Sequence, residues 1–140
     1  LLAEAADAEA RGDLLTPPGD SAFDKLRAAR ALAPEAAAVR AASARLLPAA
    51  RTCFDRELRG NNLVRARACL DTHSLLADDD AVLREARRRL AQRWLAVGDE
   101  RLAAGELQSA GAALAAAHSN DPALPGIPEF AERLRTASGR

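Results

Sequence analysis

Cys53 and Cys69 are the two thiols of the chain, and each lies eight residues from Asn61. With Asn61 in the middle of a tight turn between antiparallel helices, equal arms set the two side chains at equal height on facing helices. That placement fits the Cα separation of a disulfide, about 4.4–6.8 Å. Closing a loop of this size stabilises a fold by about 3 kcal/mol in the chain-entropy model. The same positions suit two free cysteines acting as small core hydrophobes. A bond implies an oxidising location such as the periplasm, whereas free thiols leave the cytoplasm open.

Other reactive side chains are sparse. His73 and His118 are the general-base candidates near neutral pH. Asp71, His73 and Ser74 bring three triad residue types together, but residues one or two apart do not share a helix face, so no triad forms. His73 falls on an apolar stripe and is expected in the core; His118 is expected in solvent. No metal-ligand spacing, no glycine-rich phosphate loop and no cofactor motif occurs, so an enzyme is not expected. Arg84, Arg87, Arg88, Arg89 and Arg93 form the densest basic run. It could dock an anion or an acidic partner, or be an ordinary solvated face, with Glu85 among the arginines. Asp78-Asp79-Asp80 reads as a helix start, where acids cap free N–H groups and match the macrodipole.

These residues must be held by helices. In 140 residues there are 36 Ala and 21 Leu but three Phe, one Trp and no Tyr, so the core is many thin helix contacts. Turn signals at 16–20, 33–34, 60–62, 78–80, 105 and 120–128 bound strong helix formers. Helices are predicted near 2–12, 21–33, 35–59, 63–77, 81–104, 107–119 and 128–137, with a kink at Pro48. No segment alternates with period two, so an all-α fold without sheet is expected. Twenty basic residues balance twenty acidic ones, and stacking aromatics are scarce, which argues against nucleic acid. No long charge-free apolar run offers membrane insertion. Met is missing even at position 1, and the first residues lack the basic flank and apolar stretch of a signal peptide. The sequence therefore reads as a piece of a longer protein. Its basic residues are all Arg apart from Lys25, which fits a GC-rich bacterial genome.

An internal period organises the helices. Ala22, Ala66 and Ala110 are spaced by 44 residues, as are Leu26, Leu70 and Leu114, then Ala29, His73 and Ala117, then Pro34, Asp78 and Pro122. Within each repeat the residues, 22, 26 and 29, then 66, 70 and 73, then 110, 114 and 117, follow i, i+4 and i+7, one helix face ending in a stop signal. By the same shift Cys53 and Cys69 correspond to Val97 and Ala113, both apolar.

The pattern resembles the tetratricopeptide repeat (TPR), best in Trp94-x2-Val97-Gly98-x2-Arg101 followed by Ala110-x3-Leu114, Ala117 and Pro122. It departs from that family in period, 44 residues against about 34. The resemblance implies one domain over 1–140: stacked antiparallel hairpins in a TPR-like α-solenoid. Its units would be about 1–34, 35–78 and 79–122, with a capping helix at 127–138. It further implies a concave groove for a protein or peptide, with Arg51, Asp55 and Leu58 from one helix and Gln92, Leu95, Asp99 and Leu102 from the next. The function expected is a non-catalytic interaction scaffold in a bacterial envelope protein. The alternative is an extracytoplasmic sensory or ligand-binding domain of a membrane-anchored kinase or TonB-type energy transducer. Oligomeric state is left open.

Overall fold

Proline, glycine and asparagine punctuate stretches rich in Ala, Leu, Arg and Glu, and every such stretch is helical in the structure, a computed structural model that describes residues 1–139. The elements are α1 (Leu2–Arg11), α2 (Ala22–Leu32), α3 (Ala37–Arg59), α4 (Leu63–Leu76), α5 (Asp80–Ala103), α6 (Leu107–Asn120) and α7 (Gly126–Ala137). Among the described residues there is no strand, so the fold is all-α.

Local chemistry sets the helix limits. Ser21 caps α2 with a full capping box: its Oγ accepts from the Asp24 amide at 3.1 Å, and Asp24 Oδ2 accepts from the Ser21 amide at 3.4 Å. Asp24 Oδ2 also accepts from the Gly19 amide at 2.7 Å, which ties the preceding loop to the helix start. At the start of α5, Asp79 holds the N-cap position without a side-chain capping bond, and Asp80 lies in the first turn. Of the three expected caps, the acid matching the macrodipole is therefore the clearer contribution.

Three helices end in the same way. Gly12 after α1, Asn61 after α3 and Gly105 after α5 all have left-handed backbone, with φ of 84°, 57° and 77°. Each closes a paired bond set, such as Asn62 N–H to the Glu57 carbonyl at 2.8 Å with Asn61 N–H to the Leu58 carbonyl at 3.0 Å. This is the Schellman arrangement, in which glycine or asparagine avoids the Cβ penalty. Two other helices end directly before a proline, at Ala33 (φ −148°) and at Asp121 (φ −150°), the second in extended backbone. Pro48 lies within α3, which is a continuous helix across it, although the proline offers no N–H to the Ala44 carbonyl.

The chain divides into two compact units, one of Leu1–Arg56 with Ala68–Asp78, the other of Glu57–Arg67 with Asp79–Arg140. In the first, α1 packs on α2. Its core gathers Ala22, Phe23 and Leu26 of α2, Val39, Leu46 and Ala50 of α3, and Leu76 of α4. At its surface Glu9 binds Arg45 in two places, Nε at 3.0 Å and Nη2 at 3.2 Å, which holds that guanidinium above its ordinary pKa.

In the second unit α5 packs along α6, and α7 packs on both. Its core contains Ala91, Ala117, Leu124 and Ile127, with Trp94, Leu95 and Leu114 half-buried against it. Buried Asn120 ties α4 to α6, accepting from Arg67 Nη1 at 2.7 Å and donating to the Ala116 carbonyl at 2.8 Å. Gly98 of α5 allows α7 close approach: a Cβ built there would lie 2.7 Å from the Phe130 ring.

Candidate interaction surfaces

The residues assigned to a groove are not alike. Arg51 and Asp55, one turn apart on α3, are exposed, as are Gln92 and Asp99 on α5. Leu95 and Leu102 are half-buried. Leu58 is 3% exposed, so it belongs to the core rather than to a surface. Its backbone carbonyl accepts from Arg93 Nη1 at 3.2 Å, a cap on the last turn of α3. Arg51 and Asp55 belong to one unit and Leu58 and the α5 residues to the other.

Helix α7 covers part of the α5 face. A Cβ on Gly126 would lie 3.0 Å from Leu95 Cδ1, and Asp99 accepts from Arg133 Nη1 at 2.9 Å. Phe130, 2% exposed, fills the space over Gly98 between them. The open part of α5 is thus narrower than the sequence implies, because α7 packs where a ligand was expected. The signal was Gly98 itself: glycine inside an Ala-rich helix marks close approach.

The arginine run is divided in its use. Arg93 caps α3, and Arg88 lies 3.8 Å from Glu85. Arg84, Arg87 and Arg88 face Asn120, Asp121 and Pro122 across an open cleft of about 590 Å³. With Glu85 and Asp121 in the same lining, the cleft is of mixed sign.

Cys53 and Cys69 are joined in a disulfide with a Cα separation of 5.7 Å, and Cys69 is buried. His73 is 3% exposed and His118 is exposed. Among the described residues no three His, Cys, Asp or Glu side chains come together as a metal site, and no helix is long and apolar enough to cross a membrane. No known protein family matches the chain, and neither a curated protein nor a solved structure is recognisably similar to it.

Proposed function

We propose that the chain is a non-catalytic protein-interaction scaffold of TPR-like helical hairpins, part of a bacterial envelope protein. The recurrence of helix endings at the sequence period carries this reading. Asn61 and Gly105, 44 residues apart, hold the same left-handed turn with the same paired bonds. The amides of Ala33, Ala77 and Asp121, again at that interval, each return to the carbonyl four residues earlier, at 3.0, 3.0 and 2.9 Å. Ala22, Ala66 and Ala110 are each 0% exposed, as expected where helices of stacked repeats touch. Leu26 and Leu70 are buried while Leu114 is half-buried, which suits a last unit closed by a shorter cap. A partner peptide would use the exposed polar positions of one unit, Arg51 and Asp55 on α3, or those of the other, Gln92 and Asp99 on α5.

Photo-crosslinking residues placed at Arg51 and Gln92 of the parent protein, in its own cells, test the reading. A discrete protein adduct is expected from either site, lost on Asp55→Arg or Asp99→Arg. Asp99 accepts from Arg133 Nη1, so each variant is compared with the parent only where its helical circular dichroism and melting temperature are unchanged. No adduct from either helix, with adducts from Arg84 or Arg87 instead, would move the interaction to the arginine cleft.

The disulfide supports the envelope placement itself, because such bonds persist in oxidising compartments. Thiol titration of denatured, unreduced protein taken from its native compartment tests it. Two reactive thiols would remove the reason for placing the domain in the envelope.

A further inference from the structure

The first unit contains a cavity of about 340 Å³ along α2 and against the last turn of α4, with Ser43 of α3 in its wall. Its depth is apolar: Phe23 is 9% exposed, Leu26 1% and Leu76 8%. Its mouth carries Leu75, 43% exposed, and two arginines of α2, Arg27 and Arg30. Arg27, Arg30 and Phe23 share a face of α2 by i, i+3 and i+4 spacing. Neither arginine has an ion-pair or hydrogen-bond partner among the described residues.

The remaining polar groups of the lining are already engaged. Ser43 Oγ donates to the Val39 carbonyl at 2.9 Å, and Ser74 Oγ donates to the Asp71 carbonyl at 2.7 Å. Pro34 has no N–H to offer. The two guanidiniums are therefore the free donors of an otherwise apolar hollow. Part of the charge of Arg30 is matched by the α2 C-terminus, where it lies in the last turn. Arg27 lies a turn further from that end. Ligand pockets of this make-up, apolar walls with a few convergent polar groups, run from about 300 to 1,000 Å³. At the lower end of that range the occupant is small.

We propose that this cavity binds a single-chain amphipathic carboxylate, a medium-chain fatty acid in chemical class. The acyl chain lies against Phe23, Leu26 and Leu76, and the carboxylate meets Arg27 and Arg30. Guanidinium suits that head group, since its planar fork matches a carboxylate in two parallel hydrogen bonds. This site does not depend on the interaction scaffold or on its surface.

Titration with decanoate, followed by backbone amide NMR and calorimetry, tests the site in the oxidised protein. Shifts are expected in α2 around Phe23–Ala31 and in α4 around Ser74–Leu76. Decanol, with the same chain and no charge, should bind at least tenfold more weakly. Arg27→Gln with Arg30→Gln should weaken decanoate at least tenfold while leaving decanol unchanged and the helical circular dichroism intact. Ala31→Trp, at an exposed lining position, should block both ligands and serves if the arginine variant does not fold. Equal affinity for decanoate and decanol, shifts confined to other helices, or full binding by both variants would overturn the assignment. A peptide with a C-terminal leucine carboxylate that binds tenfold more tightly than decanoate would overturn it in favour of a chain terminus.

Discussion

At residue scale, Gly98 sets two effects against each other. Replacing it with Ala improves helix propensity by about 1 kcal/mol. The added methyl would enter the ring of Phe130, 2.7 Å away and itself 2% exposed. Overpacking of that kind costs about 1–3 kcal/mol, so Gly98→Ala should destabilise, and Phe130→Leu in the same chain should restore much of the loss. Chemical denaturation of the single and double variants checks both signs. Leucines at matched positions should also differ. Leu70, 2% exposed, should cost about 2–5 kcal/mol on truncation to Ala. Leu114 is half-buried, so its truncation should cost clearly less.

At the scale of elements, the helix ends can be adjusted separately. Asn61 holds φ of 57°, a conformation that glycine adopts without a Cβ penalty. Asn61→Gly should raise stability by up to about 1 kcal/mol, and Asn61→Ala should lower it by about the same, read from thermal melts. Helix limits were legible within two residues because breakers and caps act locally, through Ser21, Gly12, Gly105 and the prolines after Ala33 and Asp121. The exact left-handed residue was less plain: Gly60 is the obvious candidate beside Asn61, yet the asparagine takes the positive φ. The surface was less legible than the elements. Nothing local in Leu95 or Asp99 says that Gly126 and Arg133 of α7 lie against them. That is decided by tertiary packing, as is the burial of Leu58. The cavity beside Arg27 and Arg30 was invisible for the same reason, since it is formed by three helices.

At the scale of the whole molecule, the disulfide is the covalent cross-link among the described residues. It closes a separation of 16 residues, for which the chain-entropy model gives about 3 kcal/mol. Reduction, or Cys53→Ala with Cys69→Ala, should lower stability by roughly that amount. Hydrogen exchange should then rise first along α3 and α4 near the lost bond. A reduced protein with an unchanged melting temperature would show that helix packing alone carries the hairpin. Trp94 and the disulfide, moreover, belong to different units. The single indole therefore gives a fluorescence signal from one unit, and the reactivity of the sulfurs toward a reductant reports on the other. If the two signals change at the same urea concentration, the chain unfolds as one cooperative system. If they change separately, each optical or chemical assay has been measuring only half of the protein.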